Sequence, residues 1–125
     1  MPNKTILLVE DDFINMKLAQ HVLESQGYTV VKATTGQGAL QQIKTNPPDL
    51  ILMDIQLPDI DGMALVRIIR AKDTTKETAI LALTAYAMKG DREKILKTGC
   101  NDYISKPINV ENFISTVRKY LDTGN

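Results

Sequence analysis

Leu50-Ile51-Leu52-Met53-Asp54 is an unbroken apolar run closed by a carboxylate. A strand with one wet face alternates apolar and polar residues, so a continuous run marks a strand covered on both faces. Four more short runs surround it: Ile6-Leu7-Leu8-Val9, Thr29-Val30-Val31, Ile80-Leu81-Ala82-Leu83 and Tyr103-Ile104. The segments between them carry helical spacing. Ile14, Leu18 and Val22 recur every four residues, Leu40 pairs with Ile43, and Val66 pairs with Ile69. Val110, Phe113, Ile114, Val117 and Leu121 trace an apolar stripe along a last helix, and such stripes turn toward the core. Gly27 and Gly99 stand where helices should stop, because glycine takes the left-handed cap at little cost. Five strands alternating with five helices predict an α/β fold: a doubly wound parallel sheet with helices on both faces. No linker or repeat divides the chain, so one domain is expected over 1–125, with its core at about 4–122 and Thr123-Gly124-Asn125 a frayed end.

Composition narrows the function classes. Fifteen basic residues balance fifteen acidic ones, which gives no electrostatic reason to expect a nucleic acid as partner. No apolar run approaches the roughly 18 residues of a membrane span, and no signal peptide is expected, because the short start leads straight into a strand-like run. The lone Cys100 cannot form an internal disulfide, which suits a reducing cytoplasm. With no apolar patch or heptad pattern evident, a monomer is expected.

The chemistry should gather at one edge. Ligands of such sheets bind beyond the carboxyl ends of the strands, where the strand order reverses. The first strand runs into Glu10-Asp11-Asp12, the third ends at Asp54, the fourth at Thr84, and the fifth leads to Lys106-Pro107. Each residue also has an ordinary structural reading. Asp12 and Asp59 read best as caps or loop residues, and Asp61, ahead of Gly62, as a cap or turn residue. Thr84 alone would be a strand-end hydroxyl and Lys106 a surface lysine. Asp54 resists that treatment, because a buried strand leads directly into it. Crowded carboxylates repel one another and invite a hard cation. Oxygen ligands without histidine or further cysteine favour magnesium over zinc, with manganese a possible substitute. A carboxylate is also a competent nucleophile for an aspartyl phosphate, and phosphoryl transfer needs chiefly positioning and charge neutralisation.

Leu8-Val9-Glu10-Asp11-Asp12, Met53-Asp54-Ile55-Gln56-Leu57-Pro58 through Asp61-Gly62, Leu83-Thr84-Ala85 and Lys106-Pro107, in this order and spacing, resemble the response-regulator receiver family over nearly the whole chain. The resemblance implies a flavodoxin-like fold with strand order 2-1-3-4-5. It implies Asp54 as phosphoryl acceptor, Asp11 as direct magnesium ligand, and the Gln56 backbone carbonyl as a further ligand. Glu10, where many relatives have aspartate, would reach the ion through water. Thr84 would be the switch hydroxyl, Lys106 the phosphate-facing lysine before a cis proline, and Tyr103 the switch aromatic. A partly buried tyrosine with a wet hydroxyl is an equally good reading of Tyr103.

Within the family, Glu10 through Lys17, Tyr86-Ala87-Met88-Lys89-Gly90-Asp91 and Gly99 through Ile108 are similar to stand-alone regulators of the DivK type and to receiver modules of hybrid kinases. The implied role is that of a single-domain regulator, not an enzyme. It would be phosphorylated by a histidine kinase or histidine phosphotransfer protein and read by a downstream protein through the face of the fourth helix, fifth strand and fifth helix. Gln56 and Tyr86 flank the site where phosphoryl lifetime could be tuned. Met88 reads as a gap filler, Cys100 as packing and His21 as a surface residue. Two alternatives stand beside this reading: a receiver module within a larger hybrid kinase, and a magnesium-dependent phosphatase of the haloacid-dehalogenase type. The latter needs a second aspartate two residues after the first, and that position is Gln56. Gly36-Gln37-Gly38 lacks the third glycine of a dinucleotide loop and reads as a turn into the second helix.

Overall fold

The computed structural model describes residues 4–85 and 89–122; Tyr86 and Met88 lie outside the described residues, as do Met1 and the expected frayed end. The elements alternate as predicted: β1 (Thr5–Val9), α1 (Phe13–Ser25), β2 (Thr29–Ala33), α2 (Gly36–Thr45), β3 (Leu50–Asp54), α3 (Gly62–Arg70), β4 (Ala79–Thr84), α4 (Lys89–Thr98), β5 (Asp102–Ser105) and α5 (Val110–Leu121). All neighbouring strands pair in parallel, in the order β2-β1-β3-β4-β5. This is the flavodoxin-like topology, and its switch point falls between β1 and β3.

The unbroken apolar runs supply both faces of the sheet at once. Leu50 and Leu52 join a layer built with Met16, Ala19, Val22 and Leu23 of α1 and Phe113, Val117 and Leu121 of α5. Ile51 and Met53 point the other way, into a layer with Ala39 and Ile43 of α2, Leu65, Val66 and Ile69 of α3, and Ile95 of α4. Cys100 is buried in this second layer, and burial raises its thiol pKa to about 11, so it packs as a small apolar group.

Gly27 and Gly99 take φ of 91° and 125°, as their places after α1 and α4 predict. Asp12, Asp61 and Asn109 cap α1, α3 and α5 by accepting hydrogen bonds from Asn15, Met63 and Asn112 backbone N–H groups. Among the described residues, no helix is long and apolar enough to cross a membrane.

Two readings of the apolar stripes need correction. Ile14 and Leu18 do not face the core: they are 74% and 38% exposed. Apolar residues occupy a broad arc of α1, and the sheet takes the Met16-Ala19-Leu23 side, which leaves the Ile14-Leu18 edge outside. Val110, the first residue of α5, is 42% exposed because the helix has not yet reached the sheet.

Arg70 fastens the edge of the molecule opposite the carboxyl ends of the strands. Its guanidinium donates to the carbonyls of Gly99, Thr75, Lys76 and Thr78 and to Asn101 Oδ1. Asn101 Oδ1 also accepts the Ile80 N–H at 2.8 Å, so one fork joins α3, the following loop, β4 and the entry to β5.

Candidate functional site

Register alone brings the chemistry together. Val9 lies opposite Met53, so Glu10 and Asp54 emerge abreast at the switch point. Asp54 in turn lies opposite Leu83, one residue before Thr84, and Thr84 lies opposite Ser105, one residue before Lys106. The Lys106 N–H donates to the Thr84 carbonyl at 2.8 Å, and the Lys106-Pro107 bond is cis, as expected.

The Lys106 ammonium sits between two carboxylates, 2.7 Å from Asp54 Oδ2 and 2.8 Å from Glu10 Oε1. Asp54 Oδ1 accepts the Gln56 N–H at 2.8 Å, and Glu10 Oε2 accepts the Asp12 N–H at 3.2 Å. Glu10, Asp54 and Thr84 are buried, whereas Asp11 is exposed at the mouth. Carboxylate oxygens of Glu10, Asp11 and Asp54 all come within 4.8 Å of one another. Glu10 Oε1 is buried and receives no hydrogen bond, only the ion-pair contact. Three hard oxygen donors, one of them short of a hydrogen bond, suit a small divalent cation.

The electrostatics fit the crowding. Burial, and then the neighbouring Asp54 carboxyl, raise Glu10 to about 7 against the opposing pull of Lys106 and the Asp12 amide. Burial lowers the Lys106 pKa, but its hydrogen bond to Asp54 and its close contact with the Glu10 carboxylate outweigh it, and the net shift is upward. Glu10 therefore binds its proton more tightly folded than unfolded. Its contribution to stability is full below about 4.5 and drains as pH rises toward about 7, while Lys106 stays charged throughout. In chelator-containing buffer, the urea midpoint should fall across that window, and Glu10→Gln should flatten the fall. An unchanged slope in the variant would assign the effect to another group.

The remaining candidates sort by position. Tyr103 is half-buried against the second layer, with the Arg92 guanidinium of α4 over its ring, 5.5 Å from the centroid. Asp12 and Asp61 serve as helix caps, as their ordinary readings predict, and His21 is exposed. Gly36-Gln37-Gly38 is the start of α2.

Two features escaped sequence reasoning. Asp59 reaches across to the first turn of α2, where its carboxylate accepts the Gly36 and Gln37 N–H groups. Phe13 and Ile14, 70% and 74% exposed, form an apolar rim directly after Asp11 and Asp12. A signal for the rim was available, since residues following a strand-end cap stand above the sheet edge and not over its face.

The profile of the response regulator receiver domain matches residues 6–118. The polar-differentiation response regulator DivK of Brucella anthropi is 43% identical over 118 residues, covering 94% of this chain and 96% of that protein. A response regulator from Chloroflexus aurantiacus has a TM-score of 0.92 at 36% identity, over 97% of this chain and 99% of that one. The receiver domain of a sensor histidine kinase from Pseudomonas aeruginosa, solved with a magnesium ion coordinated in its active site cleft, has a TM-score of 0.89 at 36% identity, over 98% of this chain and 100% of that one. The likeness thus runs from β1 into α5, through every strand end that builds the pocket, and this chain belongs to the response regulator receiver domain family of two-component signalling.

Proposed function

We propose that this chain is a single-domain response regulator that accepts a phosphoryl group on Asp54 from a histidine kinase or histidine phosphotransfer protein. The observation that carries the reading is the Asp54 carboxylate, buried at the end of β3 with one oxygen on the Lys106 ammonium and the other on the Gln56 N–H. An Asp54 oxygen bonds to phosphorus as the phosphorus–nitrogen bond of the partner's phosphohistidine breaks, and the freed imidazole takes up a proton. Lys106 then faces a phosphoryl oxygen in place of a bare carboxylate.

Asp11, Asp54 and the Gln56 backbone carbonyl are the residues to hold magnesium, with Glu10 reaching it through water; manganese has the same ligand preference. Bound there, the ion supplies positive charge against the carboxylates and one phosphoryl oxygen. The exposed Phe13 and Ile14 give a docking partner an apolar surface to cover beside the pocket. The chain itself turns over no substrate of its own, and it works in the cytoplasm as a monomer.

Thr84, buried at the end of β4, moves its hydroxyl toward the phosphoryl group. Tyr103 follows by turning inward from beneath Arg92, which changes the face of α4, β5 and α5 that a downstream protein reads. With magnesium and beryllofluoride, a stand-in for the phosphoryl group, amide NMR shifts should spread from Asp54 to Tyr103 and along α5. Shifts confined to the pocket would leave acceptance without a switch.

The 36% identity to a histidine kinase's receiver supports a second reading, a receiver tethered to its own kinase. The DivK relatives, matched over nearly their whole length, favour the stand-alone role.

A further inference from the structure

We infer that Asp59 is a positioning residue that holds the Gln56 carbonyl in place by clasping the β3–α3 loop to the start of α2. The inference rests on the reading of Gln56 as a cation ligand. The loop from Ile55 to Asp61 is fixed at both ends: Gln56 N–H donates to Asp54 Oδ1, Gly62 N–H donates to the Ile55 carbonyl at 3.0 Å, and Gln56 bridges to Asp61. Its tip has a third anchor. Asp59 Oδ1 accepts the Gly36 N–H at 2.8 Å and Oδ2 accepts the Gln37 N–H at 3.0 Å. Thr35 covers the next donor of α2, Gly38, at 2.9 Å. The first-turn donors of α2 are thus divided between a residue of its own cap and a residue of the site loop.

Ile60 reinforces the clasp. A Cβ placed on Gly36 would lie 2.2 Å from Ile60 Cγ2, so glycine is what lets the loop tip settle against the helix. The two backbone hydrogen bonds lower the Asp59 pKa, as bonds made to the charged carboxylate do. Without it, the tip keeps only its ends and the apolar packing of Leu57 and Ile60, with no hydrogen bond to α2, and the carbonyl two residues past Asp54 loses a fixed direction.

Asp59→Ala should weaken magnesium binding, measured by calorimetry on the metal alone, on the order of tenfold, as loss of a supporting residue around a metal typically does. It should also speed amide exchange from Ile55 to Ile60. Thr35→Ala, which uncaps the same helix without touching the loop, should lower stability and leave magnesium affinity unchanged. Equal affinity for Asp59→Ala and wild type overturns the inference, as does equal weakening by Thr35→Ala, which would make the effect one of helix stability. Failure of the wild-type chain to bind magnesium overturns the reading of the pocket instead.

Discussion

Incubated with magnesium and acetyl phosphate, the wild-type chain should gain one phosphoryl group by intact mass, and Asp54→Asn should gain none. The effect is all or nothing because the pocket offers one suitable nucleophile. An amide at residue 54 keeps the shape but loses the charged oxygen that attacks phosphorus and the partner that Lys106 approaches to 2.7 Å. The other carboxylates are committed elsewhere. Glu10 is buried with Lys106 on one oxygen and the Asp12 N–H on the other, Asp11 stands exposed at the mouth as the proposed direct magnesium ligand, Asp12 and Asp61 cap helices, and Asp59 is bound to α2. Asp59→Asn should therefore still gain the phosphoryl group when magnesium saturates. If Asp54→Asn labels as well as wild type, the acceptor has been misassigned.

Phe113→Ala is expected to cost about 3–5 kcal/mol of stability, the usual toll of deleting a fully buried ring. The whole domain should have only about 5–15 kcal/mol to lose. Phe113 is completely enclosed where α5 meets the sheet, in the same layer as Leu23, Leu52 and Ile104. Its loss leaves a cavity that the flanking strands cannot close without moving the sheet. Phe13→Ala removes the same ring from a site 70% exposed and should change stability by less than about 0.5 kcal/mol. Urea unfolding of the two variants checks the contrast. Equal losses would mean that Phe13, and not just Phe113, is packed in solution. Because Phe113 lies in the layer below the pocket, its variant should still take up phosphoryl at temperatures where it remains folded.

The sheet was legible because its apolar runs are continuous, and a continuous run over four residues leaves few options besides a strand covered twice. Strand-end chemistry was legible for the same reason, since Asp54 and Thr84 terminate runs whose direction the topology fixes. Helix orientation was less so. On α1 the apolar arc is wide enough to admit more than one inward side, and only the position of the sheet decides between Met16 and Ile14. That Lys106 meets Glu10 and Asp54 followed from the same strand ends, but the contacts of Asp59 with Gly36 and Gln37 were not legible. They join residues far apart in the chain, and nothing in local spacing states which turn meets which helix.

Arg70 closes the far edge of the molecule with a rigid, multiply bonded fork, while the pocket edge is held by two ion pairs and a few loop bonds. One rim is riveted and the other latched. A chemical event at the latched rim is therefore expected to turn parts about a fixed base, not to slide whole layers past each other. Strand ends and loops near Thr84 and Tyr103 can shift by small amounts while the register below them stays intact. On that expectation the signal would be a tilt of surface features on an unmoving foundation, and the domain would return to its starting state once the phosphoryl group departs.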